Sequence, residues 1–261
     1  MPELLEIEAY RRLFEDRALD RRIAEVEAPD AWYLKEGLGA DALRDALVGG
    51  HFSAARRHGK LLLVDVAGRP TVGIRFGMTG RLIVDEHHAL DRLEYGSNRP
   101  NPAWDRVVVR FEDGGDARVR DPRRLGGVIL EPDTDRLGPD AASLSLRQVR
   151  ALVEGSRAPV KAVLMDQARV AGLGNLLVDD ALWRAAIDPA RPARSLADDE
   201  VRALHRAVRT TLTTLGRRGG SHTGDLQPQR HDGGLCPTDG TPLRRRRIGG
   251  RTTYSCPRHQ R

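Results

Sequence analysis

The sequence has little cysteine and no long apolar run, and both absences limit what the protein can be. Two cysteines among 261 residues cannot form the disulfide framework of a small secreted protein. No apolar run approaches the ~20 residues needed to cross a bilayer. The first residues, MPELLEIEAYRR, lack the basic segment and apolar stretch of a secretory signal. We therefore expect a globular cytoplasmic protein, neither a secreted scaffold nor a transporter.

Lysine is also scarce. Of the 43 basic residues only Lys35, Lys60 and Lys161 are lysine, and 37 acidic residues leave a net charge of +6. Each lysine stands out because lysine can lose its proton near neutral pH when it is buried, whereas arginine cannot. Residues 217–261 hold ten arginines and three acids. That asymmetry favours a phosphate-binding surface over a merely solvated tail.

Apolar periodicity divides the chain into a β-rich part and a helical part. Helical spacing predicts an N-terminal helix over Pro2–Leu19. Short β-rich runs between turn residues predict a β-sandwich or barrel, interrupted by a helix over Asp41–Leu47; the runs are Ile23–Val26, Leu61–Val66, Thr71–Phe76, Arg81–Val84, Arg106–Phe111, Ala117–Arg120 and Gly127–Leu130. Later helical periods cover Leu146–Glu154, Val160–Asp166, Asn175–Ala186 and Asp198–Leu215.

These patterns predict an α+β fold. An N-terminal β-sandwich domain with its helix covers residues 1–131, and a Pro-, Gly- and Asp-rich linker covers 132–145. A helical domain follows over 146–218, then a polar loop over 219–235. The last segment, 236–261, contains RRRRIGGRTTY, which is typical of a β-hairpin.

The N-terminus offers a nucleophile. Removal of the initiator methionine would expose the secondary amine of Pro2, and an α-amino group has a pKa of about 7.7–8.0. Such an amine can attack an electrophilic sugar carbon and form an iminium ion. The adjacent Glu3 can serve as a general acid. Taken alone the pattern is weak, because proline is also a common first residue of a helix.

Three further segments offer contacts to nucleic acid. Lys161–Asn175 ends in VAGLGN, and two helices joined by a double turn would expose backbone N–H groups that hold a phosphate. The turn DPRRLG places Arg123 before Leu125, as in a hairpin tip that enters a duplex, or simply as in a turn before a core strand. Lys60 precedes a buried strand and can equally be a solvent-facing strand end.

The C-terminal segment has the spacing of a zinc ribbon. Cys236 and Asp239 lie three residues apart, and after a 16-residue gap Cys256 and His259 repeat that spacing. A segment of this size needs a metal or another cross-link to hold a fold. We therefore expect a structural Zn²⁺ on these four residues, unless Asp239 is only a turn residue.

Together these motifs resemble the formamidopyrimidine-DNA glycosylase and endonuclease VIII family, bifunctional enzymes of base-excision repair. The match follows chain order through PELLEIE, HGKLLL, GMTGRL, DPRRLG, the long stretch VKAVLMDQARVAGLGNLLVDDALWRAAIDPARPA and GRTTYSCPRHQ. The long stretch resembles the family's helix–two-turns–helix, and the last motif resembles its zinc-finger hairpin. The combination with the PE terminus is specific.

The resemblance implies a role for each site residue. Pro2 would attack the anomeric carbon of a damaged nucleotide, Glu3 would assist ring opening and proton transfer, and Lys60 would contact the lesion or a flanking phosphate. The iminium would then permit elimination on both sides of the lesion. The resemblance also implies DNA contacts: Met78 would fill the void left by the everted base, Arg123 would face the orphan base, Leu125 would form the wedge, and Lys161, Asn175 and Arg251 would hold phosphates.

Departures from the family pattern affect the substrate. Leu125 stands where phenylalanine is usual, Asp239 and His259 replace two zinc cysteines, and the 219–235 loop is short. We expect double-stranded DNA with oxidised purines as first substrate and oxidised pyrimidines as second, acted on by a monomer at the bacterial nucleoid. The alternatives are a lyase for abasic sites and a non-catalytic DNA-binding protein.

Overall fold

The computed structural model describes residues 2–90, 93, 99 and 101–261. Met1, whose removal the N-terminal prediction requires, lies outside these residues. The described chain forms two compact units. One contains Pro2 and Glu6–Thr134, and the other contains Glu3–Leu5 and Asp135–Arg261. The finer division into five segments stays a prediction.

The N-terminal unit consists of two antiparallel sheets whose inner faces share one core. The four-stranded sheet has the order β2-β3-β4-β9 and the five-stranded sheet the order β1-β7-β8-β5-β6. The strands are β1 Ile23–Glu27, β2 Phe52–His58, β3 Leu61–Val66, β4 Arg69–Arg75, β5 Arg81–Val84, β6 His87–His88, β7 Asp105–Phe111, β8 Asp116–Arg120 and β9 Gly127–Leu130. Two helices, α1 (Leu4–Arg17) and α2 (Ala40–Leu47), complete this part of the chain.

All seven predicted strands form, with ends shifted by at most two residues. The predicted N-terminal helix is shorter than expected: it begins at Leu4 and ends at Arg17. Two strands were not predicted, β2 and β6. The sequence of β2, FSAARRH, carries no apolar alternation, and the strand forms because it pairs with β3 at the edge of the sheet.

The C-terminal unit is helical around a second core that includes Leu4. Its helices are α3 Leu146–Val153, α4 Val160–Met165, α5 Asn175–Arg184 and α6 Asp198–Arg218. Residues 132–145, predicted as a linker, contain a 3-10 turn at Ala141–Ser143 that is capped by Asp140. Within the described ranges no helix is both long enough and apolar enough to cross a membrane.

The double turn between α4 and α5 is held by one side chain. Gln167 donates from Nε2 to the carbonyls of Met165 and Leu173, each at 2.9 Å, and its Oε1 accepts from the Gly172 amide at 3.0 Å. Gly172 has a φ of 111°, which favours glycine. These contacts confirm the helix–two-turns–helix and fix where α5 begins.

The predicted C-terminal hairpin is also present. Strands β10 (Arg244–Ile248) and β11 (Arg251–Ser255) pair antiparallel. The two-residue turn between them is Gly249–Gly250, and both residues have positive φ, as a tight hairpin with matching twist requires. The 219–235 loop before the hairpin contains short 3-10 turns at Ser221–Thr223 and Gln227–Gln229.

Candidate functional site

The carboxylate of Glu3 lies at the N-terminus of α5. Its Oε2 accepts from the amides of Gly174 and Leu177 at 2.9 and 3.1 Å, and its Oε1 accepts from the amide of Leu176 at 2.9 Å. The residue is buried, with 1% exposure. A helix N-terminus stabilises negative charge through these N–H groups and the helix dipole. The structure therefore fixes the carboxylate of the residue that follows Pro2 in the chain, and Pro2 itself is buried.

This contact corrects one expectation. The backbone N–H groups at the start of α5 were predicted to face a phosphate, but three of the donors in this region bind Glu3 instead. Sequence reasoning missed this pairing because Glu3 and Gly174 are 171 residues apart in the chain.

Gly174 makes room for the Glu3 carboxylate. A Cβ atom on Gly174 would lie 2.3 Å from the Glu3 Cδ and 2.4 Å from its Oε1. The backbone of Gly174 is extended, with φ −127° and ψ −167°, so an alanine would suffer no conformational strain there. The absence of a side chain at this position is therefore required by the carboxylate and not by the turn.

Lys161, which the resemblance placed at a phosphate, is buried in this structure. Its side chain has no exposed area, and its Nζ donates to Asp179 Oδ1 at 2.6 Å and to Thr253 Oγ1 at 2.7 Å. The second carboxylate oxygen of Asp179 pairs with Arg230 of the 219–235 loop. Burial lowers the pKa of the Lys161 ammonium, and the Asp179 charge opposes that shift. In this structure Lys161 joins α4, α5 and β11 and does not reach solvent.

Asn175 and Arg251 lie on the elements that Lys161 joins. Asn175 is the first residue of α5, and its Nδ2 donates to the carbonyl of Thr252 at 3.2 Å, while its Oδ1 is buried without a partner among the described residues. Arg251 opens β11 and is exposed. The structure thus brings the start of α5 against the first residues of β11, with the Arg251 guanidinium on the surface beside them.

A second group of predicted residues is organised by Asp121, which sequence reasoning did not identify. This buried carboxylate accepts from the hydroxyl of Thr79 at 2.5 Å and from the amides of Arg123, Leu125 and Gly126 at 3.2, 2.9 and 2.9 Å. One side chain therefore binds both the turn that carries Met78 and the turn that carries Arg123 and Leu125. We call these two segments, 77–80 and 121–126, the paired turns.

The side chains that the paired turns present differ in exposure. Met78 is half-buried, Arg123 is exposed and Leu125 is 49% exposed. Gly77 lies so close to the backbone of Leu125 that a Cβ atom on it would approach the Leu125 carbonyl carbon to 2.4 Å. The structure brings together the three residues that the resemblance assigned to the void, the orphan base and the wedge.

Lys60 lies in the two-residue turn that joins β2 to β3, after Gly59 with its φ of 56°. It is half-buried and has partners of its own. Arg57 donates to the Gly59 carbonyl at 2.9 Å and pairs with Glu8 at 3.3 Å, which fixes the base of the turn. The position is a turn between two paired strands, of which the sequence predicted only the second, β3.

Comparison with known proteins decides which family has this arrangement. The family model of the formamidopyrimidine-DNA glycosylase N-terminal domain matches residues 1–128 of the sequence. The family model of the formamidopyrimidine-DNA glycosylase H2TH domain matches residues 137–225. A formamidopyrimidine-DNA glycosylase from Symbiobacterium thermophilum is 35% identical over 100% of this chain and 89% of its own. The chain belongs to the formamidopyrimidine-DNA glycosylase family.

Solved structures of formamidopyrimidine-DNA glycosylases share the fold. The enzyme of Lactococcus lactis, non-covalently bound to DNA containing an abasic site, matches with a TM-score of 0.85 at 25% identity over 99% of both chains. A structure of MutM with DNA containing carbocyclic 8-oxoguanine matches with a TM-score of 0.85 at 26% identity, also over 99% of both chains.

Three of the four residues predicted to bind zinc form a group that could hold a metal ion. The ligand atoms of Cys236, Asp239 and Cys256 all lie within 4.8 Å of one another. Cys256 Sγ is 3.5 and 3.6 Å from the two carboxylate oxygens of Asp239. Both thiols are buried, and burial raises the pKa of the Cys256 thiol. Two sulfurs and a carboxylate suit a tetrahedral zinc ion.

His259 does not belong to this group, contrary to the predicted set of four. Its Nε2 lies 2.9 Å from the carbonyl of Trp183, so the ring packs on the end of α5. The His259 backbone amide instead donates to Cys256 Sγ at 3.2 Å. The spacing Cys-X-X-His carried the prediction, but spacing says nothing about where the ring points.

Proposed function

We propose that the protein is a bifunctional DNA glycosylase and abasic-site lyase of base-excision repair. Family membership supports the substrate class, and the observation that carries the proposal is the Pro2-Glu3 pair with its carboxylate fixed on α5. The formamidopyrimidine-DNA glycosylases are named for the excision of damaged purines. We propose the same preference here, on nucleoid DNA in the cytoplasm.

The chemistry follows from an amine and an acid side by side. The neutral Pro2 nitrogen attacks the anomeric carbon, the bond from that carbon to the base breaks, and the base leaves with a proton. Opening of the sugar ring gives an iminium between Pro2 and the sugar, with the ring oxygen protonated. The iminium acidifies a proton on the neighbouring sugar carbon. Removal of that proton expels the phosphate by elimination. Glu3 carries the protons in these steps.

The remaining predicted residues position the DNA. We propose that the paired turns contact the duplex at the lesion, with Met78 in the void of the everted base, Arg123 at the orphan base and Leu125 as the wedge. Lys60 contacts the lesion or a flanking phosphate. Asn175 offers its second amide hydrogen and Arg251 its guanidinium to the phosphate backbone. Lys161 acts through Asp179 and Thr253 by holding those two elements together.

We further propose that Cys236, Asp239 and Cys256 bind a structural zinc ion. The chemistry of the donors supports this, and a metal would cross-link the residues before β10 to those after β11. His259 would have to turn its ring from the Trp183 carbonyl to become the fourth ligand. A water molecule is the alternative.

Borohydride trapping tests the proposed function. The full-length protein is incubated with duplexes that contain 8-oxoguanine, an oxidised pyrimidine or an abasic site, and the iminium is reduced to a stable cross-link. We expect trapping on the 8-oxoguanine and abasic duplexes. Trapping on the abasic duplex alone would make the protein a lyase, trapping on the oxidised pyrimidine but not on the purine would reverse the lesion preference, and binding without any trapping would make it a non-catalytic DNA-binding protein.

A further inference from the structure

Trp32 is the most exposed large apolar side chain in the described part of the chain. It is 65% exposed, compared with 49% for Leu125 and 47% for Leu235. The neighbouring Tyr33 is fully buried. A tryptophan ring left in water costs free energy that burial against a partner would recover. Nothing in the catalytic scheme above uses this ring.

The turn that carries Trp32 is fastened to the proposed wedge. We call residues 30–35 the Trp32 turn. Asp30 accepts from the Trp32 amide at 3.2 Å, and its two carboxylate oxygens bind the Arg124 guanidinium at 2.6 Å each. Arg124 stands between Arg123 and Leu125. The ion pair therefore ties the backbone at Trp32 to the middle of the wedge segment.

Packing after Leu125 reinforces this attachment. A Cβ atom on Gly126 would lie 2.3 Å from the hydroxyl of Tyr33, and one on Gly127 would lie 2.5 Å from Cγ of Lys35. The Lys35 amide also donates to the carbonyl of Val128 at 2.9 Å. Two consecutive glycines thus let the segment after Leu125 lie directly against the Trp32 turn. The backbone positions of Trp32 and Leu125 are therefore linked by direct contacts between the two segments.

Cations accompany the exposed ring. Lys35 Nζ lies 4.5 Å from the centre of the Trp32 ring and donates to the Trp32 carbonyl at 2.5 Å. Arg123 is exposed on the adjoining turn, where the neighbouring Arg124 is paired with Asp30. An aromatic face flanked by cations is the combination that binds bases or sugars together with the phosphates beside them. A lysine over the aromatic face is less typical of a protein interface, where lysine is depleted.

We propose that Trp32 contacts the damaged duplex beside Leu125, with its ring stacked on a base or sugar. The inference rests on the proposed function, which places Leu125 at the DNA. Leucine has no aromatic face, so a wedge formed by Leu125 alone cannot stack on the orphan pair. Trp32, held by Asp30 and Arg124, supplies that face from the neighbouring turn.

Fluorescence tests the contact directly, because the chain has three tryptophans. In the W104F/W183F variant Trp32 is the sole reporter, and quenching by acrylamide measures its accessibility. A saturating duplex that contains a tetrahydrofuran abasic analogue should reduce that quenching at least about twofold, because a stacked ring is shielded from the quencher. The matched W32F/W104F variant reports Trp183, eight residues along α5 from Asn175, and should change little.

Affinity separates stacking from charge. Trp32→Ala should weaken binding of the same duplex by about 5- to 150-fold, the range of aromatic–base stacking. The dependence of affinity on salt should keep its slope, since no phosphate contact is lost. Trp32→Phe should retain most of the affinity. The residue is exposed, so all variants should fold, and circular dichroism checks this.

The outcomes are distinguishable. A Trp32 that stays fully accessible in a saturated complex, or a Trp32→Ala variant that binds as tightly as the parent, overturns the inference and leaves the proposed function standing. The same result together with Trp32-dependent self-association would assign the patch to a second copy of the chain. Failure of the parent protein to bind any duplex contradicts the proposed function, and the inference falls with it.

Discussion

At the scale of single residues, the site depends on where two charges are buried. The Glu3 carboxylate accepts hydrogen bonds from three backbone amides at the start of α5. The Lys161 ammonium is fully buried and donates to Asp179 and Thr253. Sequence motifs identified both residues but not their partners. A motif specifies residue types at a spacing along the chain. The partners Gly174 and Thr253 are distant in sequence, and only folding brings them to Glu3 and Lys161. For that reason Lys161 was predicted at a phosphate and lies in the interior.

Gly174→Ala should disable the Glu3 carboxylate without unfolding the protein. The added Cβ would collide with the carboxylate, while the extended backbone accepts alanine. Loss of a positioned acid or base costs about 10²- to 10⁴-fold in rate, so borohydride trapping should slow by about 10²-fold or more. Gly216→Ala is the control. Gly216 lies inside α6, and a Cβ atom there would make an ordinary 3.5 Å contact with the Leu5 side chain. Equal trapping rates in the two variants would refute the positioning role.

Lys161→Met and Arg251→Met should separate a structural lysine from a phosphate-binding arginine. Removal of one partner from a buried ion pair costs about 3–5 kcal/mol, so Lys161→Met should lower the free energy of unfolding by that amount in a denaturant titration. Arg251→Met should leave stability unchanged and reduce the salt slope of DNA binding by about one. A Lys161→Met protein of parental stability but weaker binding would restore the phosphate contact originally predicted.

At the scale of elements, the strands built on short apolar runs were predictable and the contacts between their turns were not. β5 and β9 begin and end where the periodicity places them. β2 escaped prediction because only Phe52 and Ala55 of its seven residues enter the core, so its sequence shows no strand periodicity, and its pairing with β3 is not visible in the sequence. The paired turns escaped it as well, since Asp121 in DPRRLG gives no sign that it binds Thr79, 42 residues earlier.

Asp121→Asn should loosen the paired turns. An amide group offers one acceptor oxygen in place of two, so at least one of the N–H groups of Arg123, Leu125 and Gly126 is left without a partner. A buried unsatisfied group costs about 1–3 kcal/mol, and denaturant unfolding should show that loss. Hydrogen exchange should accelerate at these amides. The control is Asp232→Asn, on an exposed side chain; if both variants unfold alike, Asp121 does not organise the turns.

Metal removal tests the hairpin as an element. We expect one zinc per chain in the purified protein by metal analysis, and a chelator should lower the midpoint of thermal unfolding because metal binding is coupled to folding. Cys256→Ser should lose the metal, since its sulfur belongs to the close group. His259→Gln should retain it if water completes the site. A metal-free protein with an unchanged midpoint would contradict a structural zinc ion.

At the scale of the whole molecule, the basic charge of the C-terminal segment predicts a phosphate-binding surface but does not say which of its cations are available for it. The excess of arginine over residues 217–261 predicted a phosphate-binding end of the chain, and that end carries the hairpin with the exposed Arg251. Many of the arginines are instead used within the fold: Arg230 pairs with Asp179, and Arg246 pairs with Asp188. Composition alone does not distinguish arginines paired within the fold from those exposed for binding, and the structure does.

The central claim is that the amine of Pro2 bonds to the damaged sugar, and peptide mass spectrometry of the trapped complex tests it most directly. The cross-linked protein is digested with protease and nuclease, and the peptide that carries the sugar remnant is sequenced. We predict a remnant on an N-terminal peptide that begins at Pro2, with methionine absent. A remnant on Lys60 or another lysine, or an active and trapped chain that still carries Met1, would contradict the account.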